Sequence, residues 1–161
     1  MYTNVTVRQI LHRKGNQVWS VKPDDSVLDA LRFMDKKNIG AVVVIEDDIL
    51  VGIFSERDYA RKVALKGRSE AETLVRDVMT EKVIGVGLDH GIEACLALMT
   101  GKFIRHLPVV HEGSIIGVIS IGDVVKEILA EQNFVIDQLV NYISGGSASP
   151  TVPGPSETDL P

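Results

Sequence analysis

One cysteine, no surplus of basic residues and no long apolar run: each shortage removes a class of protein. With Cys95 alone no internal disulfide can form, which suits a reducing compartment. Lys and Arg number 17 against 22 Asp and Glu, and the net charge of -5 leaves nothing over to neutralise nucleic-acid phosphates. No stretch approaches the roughly 18 apolar residues that a spanning helix needs. The N-terminus, MYTNVTVRQILHRKG, breaks its apolar pattern with polar residues and does not resemble a secretion signal. Catalytic signatures are missing too. His12, His90, His106 and His111 show no HExxH or CxxC spacing, and there is no GxxxxGK[ST] or GxGxxG run. These absences predict a soluble cytoplasmic protein that is not an enzyme, holds no metal or catalytic cofactor, and binds neither nucleic acid nor membrane.

What the chain does have is 45% hydrophobic residues, enough for a core, and an internal repeat. Shifted by 65 positions, residues 18–60 fall on 83–125 without a gap, and 11 of those 43 pairs are identical. They include Leu31/Leu96, Met34/Met99, Gly52/Gly117, Ser55/Ser120 and Asp58/Asp123. The apolar pattern persists between them. The sequence is a duplication.

Each copy predicts the same order of elements. VWSV (18–21) and VIGV (83–86) read as strands. Asp24, Asp25 and Ser26, or Asp89, offer N-cap oxygens for a helix with apolar residues at helical spacing. Val27, Ala30, Leu31 and Met34 form that stripe in one copy; Ile92, Cys95, Leu96 and Met99 form it in the other. Cys95 is therefore expected to pack, not to react. Two β-branched runs around a tight polar turn, 41–54 and 106–119, predict a hairpin. Serine-capped helices follow at 55–65 and 120–130. A short amphipathic helix is expected over 5–14, one or two helical turns in 69–80, and an extension of the last helix through 134–143. The fold class is α+β with α/β-type layers, built from two β-α-β-β-α repeats. The divisions are 1–16 (helix and linker), 17–68 (first repeat), 69–130 (connector and second repeat), 131–144 (helix extension) and 145–161 (a Gly-, Ser- and Pro-rich disordered tail).

The segment with chemistry in it occurs twice, as GIFSERD (52–58) and GVISIGD (117–123). The glycine ends a strand and permits close approach. The serine opens a helix whose free N–H groups favour an anion such as phosphate. The aspartate lies on the same side, where its carboxylate can accept both hydroxyls of a ribose. A plainer reading stands beside this one: serine as N-cap and aspartate as first-turn acid, each stabilising by about 0.5–2 kcal/mol.

The 65-residue duplication, the paired G-h-x-S-x-x-D segments, VRDVMT (75–80) and RHLPVV (105–110) together resemble a tandem pair of cystathionine β-synthase (CBS) domains, the Bateman module. The likeness spans roughly residues 5–130, and the chain is similar to short stand-alone bacterial CBS-pair proteins. It implies two repeats about a pseudo-twofold axis with two clefts between them, binding adenosine-containing ligands: AMP, ADP, ATP, NAD(H) or S-adenosylmethionine. By the same resemblance Asp58 and Asp123 hold ribose, while Ser55 and Ser120 contact ribose or phosphate. Ser20, Lys22, Gly40 and Ala41 border one cleft, and Gly85, His106, Leu107 and Pro108 the other. From the charges themselves, Arg57, Arg105 and His106 are candidate phosphate contacts, with a solvated helix face for Arg57 and Arg61 as the alternative. The copies differ at 40–43 against 105–108 and at Arg57 against Gly122, so one strong and one weaker site are expected. The chain reads as a nucleotide sensor, homodimeric through leftover apolar helix surface and signalling to an unidentified target protein. A structural interaction module with empty clefts is the alternative.

Overall fold

The computed structural model describes residues 4–144; the tail expected to be disordered lies outside them. A short helix, α1 (Val7–Lys14), leads into the first repeat: β1 (Ser20–Val21), α2 (Val27–Lys37), β2 (Ala41–Glu46), β3 (Ile49–Ser55) and α3 (Glu56–Asp58), which continues as a π-helical turn over Tyr59–Ala64. One turn of helix, α4 (Val75–Val78), connects to the second repeat: α5 (Ile92–Lys102), β4 (His106–His111), β5 (Ser114–Ser120) and the long α6 (Ile121–Ile143). Helices and strands mix as an α+β fold.

Both hairpins close on two-residue loops whose central residues have positive φ: Asp47 and Asp48 at 49° and 62°, Glu112 and Gly113 at 49° and 79°. That backbone matches the twist of the flanking strands. The loops set the register, and the register sets each motif serine opposite the first residue of its hairpin. Ser55 pairs with Ala41, and Ser120 with His106. The next residue then ties back to the preceding turn, Glu56 N–H donating to the Gly40 carbonyl at 3.1 Å and Ile121 N–H to that of Arg105 at 2.8 Å. β3 and β5, one from each repeat, come into contact.

Three expectations need correction. The strand predicted at 83–86 is reduced to an isolated parallel bridge between Val86 and Val109. In the first repeat Ser20 pairs with Val43; the residue 65 positions on from Val43 is Pro108, which has no N–H to donate, so the ladder stops at one residue. The N-caps also differ. Ser26, not Asp24 or Asp25, accepts from Asp29 N–H to start α2, and Gly91, not Asp89, precedes α5. Asp24 is instead engaged by Arg76 and Asp89 by Arg8, while Asp25 Oδ2 accepts from Lys22 N–H at 2.8 Å. Finally, the helix predicted over 55–65 widens after its first turn into i→i−5 bonding, Leu65 N–H donating to Ala60 at 3.0 Å.

The buried side chains form two clusters, one per repeat, matched pair by pair at the 65-residue offset. Val27, Ala30, Met34, Val42, Val44 and Phe54 lie in one; Ile92, Cys95, Met99, Leu107, Val109 and Ile119 lie in the other. Each core is completed by a short helix from elsewhere. Val75 and Val78 of α4 close the first core, and Val7, Ile10 and Leu11 of α1 close the second. The two helices dock identically. Thr6 bridges Gly91 as Leu74 bridges Ser26, and Arg8 holds Asp89 as Arg76 holds Asp24. Every repeat is thus sealed by the helix that precedes the other one.

The motif glycines are where these sealing helices touch the strands. A Cβ at Gly52 would lie 2.6 Å from Met79 Sδ and 3.1 Å from the Thr80 carbonyl oxygen; one at Gly117 would lie 2.7 Å from Leu11 Cδ2. At Gly52 the obstacle includes backbone that already pairs with Ile53 in both directions. Gly52→Ala is therefore expected to destabilise the fold by about 1–3 kcal/mol, read as a lowered midpoint in urea.

Candidate functional site

Ser55 and Ser120 each open their helix with a reciprocal capping box. Asp58 N–H donates to Ser55 Oγ at 3.2 Å while Ser55 N–H donates to Asp58 Oδ2 at 3.0 Å; in the second copy the same bonds measure 3.2 Å and 2.8 Å. The capping role of the motif is present in full. It occupies only part of each carboxylate, and the two copies diverge in what the remainder does.

Asp58 is 8% exposed. Beyond the cap it accepts from Ser55 Oγ at 3.1 Å, from Thr80 Oγ1 at 3.2 Å and from Lys62 Nζ at 2.9 Å. All these partners come from its own repeat or the helix sealing it. Asp123 meets a different cation: Lys14 Nζ, the last residue of α1, at 2.6 Å, the same ammonium donating to the Val118 carbonyl at 2.8 Å. Burial by itself raises the Asp123 carboxyl, but Lys14 and the N–H and hydroxyl of Ser120 outweigh it and hold the group below the usual carboxylate range.

Beside Asp123 lies a cleft of about 420 Å³ between the repeats. Gly40 and Ala41 of the first repeat line it together with His106 and Ser120 of the second. Lys14, Gly15 and Gln17 line it as well, and Trp19, Ile39 and Val118 supply apolar lining. The Trp19 ring is fixed edge-on to Phe33, centroids 6.0 Å apart, with Lys37 Nζ 3.9 Å above it. His106 is partly buried; burial first, then Lys14 and Arg105, push its imidazole below its ordinary value against the opposing pull of Asp123. It is neutral at neutral pH and offers hydrogen bonds, not charge.

Of the residues singled out in the sequence, Gly40, Ala41, His106 and Ser120 line this cleft, with Asp123 bonded to two of its lining residues, Lys14 and Ser120. Ser20, Lys22, Ser55, Asp58, Gly85, Leu107 and Pro108 do not line it. Arg57 is turned to another use: its Nη1 donates at 2.6 Å to the carbonyl of Phe103, the left-handed residue that ends α5, so it joins the two repeats. Arg105 is exposed and does not line the cleft, and Arg61 is exposed as well. Sequence reasoning missed Lys14, Gln17, Trp19 and Asn38. Lys14 and Gln17 fall outside the ungapped repeat, and nothing in their spacing tied them to Ser120. Among the described residues no cluster of His, Cys, Asp or Glu has the makings of a metal site, and no helix is long and apolar enough to cross a membrane.

A CBS-domain family profile matches residues 7–65 and again residues 75–130. The mitochondrial CBS domain-containing protein CBSX3 of Arabidopsis thaliana is 38% identical over 155 residues, covering 90% of this chain and 75% of its own length. Among solved structures, a candidate signal-transduction protein with CBS domains from Burkholderia ambifaria is 46% identical with a TM-score of 0.77, covering 80% of this chain and 96% of its own. The CBS domain pair of protein MJ0100, solved with 5′-methylthioadenosine and S-adenosyl-L-methionine, shares the fold at a TM-score of 0.70 and 21% identity, covering 80% of this chain and 99% of its own. With two matched domains spanning most of its length, this chain belongs to the CBS-domain family as a tandem pair, the arrangement of regulatory, signal-transduction modules.

Proposed function

We propose that this CBS pair is a non-catalytic sensor that binds an adenine nucleotide (AMP, ADP, ATP or NAD(H)) in the cleft between Gly40–Ala41 and His106–Ser120. One observation carries the reading: a cleft of about 420 Å³, within the size range of small-molecule sites, is walled by a serine at a helix start with a carboxylate directly behind it. The ribose sits at Ser120 and Asp123, and the base lies against Ile39, Ala41 and Val118. The adenosyl ligands of the MJ0100 domain pair support the ligand class. Bound between repeats, a nucleotide favours one relative arrangement of them, and a target protein that distinguishes the arrangements reads the signal.

The structural alternative gains support on one side only. Asp58 has its oxygens taken up by Ser55, Thr80 and Lys62, so the first motif serves chiefly as a cap and inter-element tie, and a single site per chain is the natural stoichiometry. Repeat boundaries at 17–68 and 69–130, and a cytoplasmic location based on the lone buried Cys95, belong to the same proposal. So does homodimerisation, for which the exposed Leu129, Phe134, Ile136, Leu139 and Ile143 of α6 offer apolar surface.

Thermal melting with AMP, ATP or NADH tests the core of it. At about 100-fold above its dissociation constant a ligand of the native state stabilises it by about 2.7 kcal/mol. A rise in melting temperature with one of these is expected; no rise with any would leave the scaffold reading.

A further inference from the structure

Of the side chains lining the cleft, Lys14 alone is positively charged at neutral pH, since burial keeps His106 neutral. Lys14 does not belong to either repeat's ligand motif. It is delivered by α1, which is clamped to the second repeat by Arg8–Asp89 at 3.0 Å, by Arg13–Glu127 at 2.7 Å and by Leu11 against Gly117. From there its ammonium rests on Asp123, the carboxylate that a ribose would need.

The two motif carboxylates again differ in a telling way. Lys62 reaches Asp58 from one turn along the same helix, beside the additional bond from Thr80. Lys14 reaches Asp123 from a separate element; at 41% exposed it is as solvated as Lys62 at 43%, so neither ion pair contributes much to stability and the difference lies in where the lysine comes from. Such a pair can be exchanged. Ribose hydroxyls arriving at Asp123 displace the ammonium, which then requires a new anion. A phosphate provides one inside the cleft; an unphosphorylated nucleoside leaves the ammonium without a counter-ion.

We propose that Lys14 makes the cleft select phosphorylated nucleotides over the bare nucleoside, by passing its ammonium from Asp123 to the ligand's phosphate as the ribose takes its place. This rests on the nucleotide reading above. Calorimetric titration of the full chain with adenosine and with AMP, at one ionic strength, tests it in the wild type, Lys14→Met and Lys14→Arg. The methionine keeps the aliphatic stem, and melting curves without ligand establish that each variant is folded. Wild type should bind AMP at least tenfold more tightly than adenosine, Lys14→Met should bring that ratio close to one, and Lys14→Arg should recover most of it. A merely structural Lys14 would weaken both ligands alike and leave the ratio unchanged, which overturns the assignment while nucleotide binding stands. If neither adenosine nor AMP, ADP, ATP or NAD(H) binds the wild type, the nucleotide reading fails and the role of Lys14 fails with it.

Discussion

Asp123→Ala should abolish the nucleotide-dependent rise in melting temperature, whereas Asp58→Ala should preserve the rise and lower the melting temperature of the free protein instead. The two positions are equivalent in the repeat, so the contrast isolates what their surroundings do. Asp123 has a partly solvated partner in Lys14 and adjoins the cleft. Removing its carboxylate deletes a helix-start acid and a partly solvated ion pair, about 1 kcal/mol in the free protein. It also deletes the proposed ribose acceptor, and with it the about 2.7 kcal/mol available at 100-fold ligand excess. Asp58 is 8% exposed and engaged by Ser55, Thr80 and Lys62. Truncating it leaves the part-buried donors of Ser55 and Thr80 without their acceptor, an expected loss of about 1–3 kcal/mol with no direct consequence at the cleft. Melting curves of both variants with and without AMP decide the matter. Equal behaviour of the two would contradict the single-site reading.

The largest loss of stability is expected from Phe54→Ala. Phe54 is fully buried among Val27, Met34, Val44 and Val63. Deleting a buried aromatic removes its transfer free energy and leaves a cavity, together about 3–5 kcal/mol. In a chain of this length that corresponds to a fall of roughly 10 °C in melting temperature. The more informative part is the shape of the transition. The damaged core is sealed by α4 and the intact one by α1, so each repeat depends on a helix attached to its sibling. Calorimetry should therefore show one transition for wild type and variant alike. Two separated transitions in Phe54→Ala would mean that the repeats unfold independently and that the exchanged helices do not bind them together.

The repeat, its hairpins and its buried stripes were legible because they are local. β-Branched runs around tight polar turns specified both hairpins, and the helical spacing of Ile92, Cys95, Leu96 and Met99 marked a stripe that is fully buried at three positions and half-buried at Leu96. The symmetry of α1 and α4 was harder to see. Val7-Arg8 corresponds to Val75-Arg76 at an offset of 68, not 65, because the stretch between α1 and the first copy is three residues longer than the one between α4 and the second. A self-comparison held at 65 stops short of them. The motif itself was visible, but its two meanings were not separable: Ser120 and Asp123 satisfy the capping pattern and also stand beside the cleft.

From the amino-acid order alone came the duplication, the type of most elements, the capping serines and the side of each helix that is hidden. Periodicity reports that a face is buried and says nothing of what buries it. Only the tertiary structure decided that α1 crosses to the second repeat, that Lys14 meets Asp123 from 109 residues away, and that Arg57 spends its charge on Phe103. Those pairings depend on where folded elements come to rest against one another. Ion pairs and clefts are properties of that packing, and no local pattern encodes them.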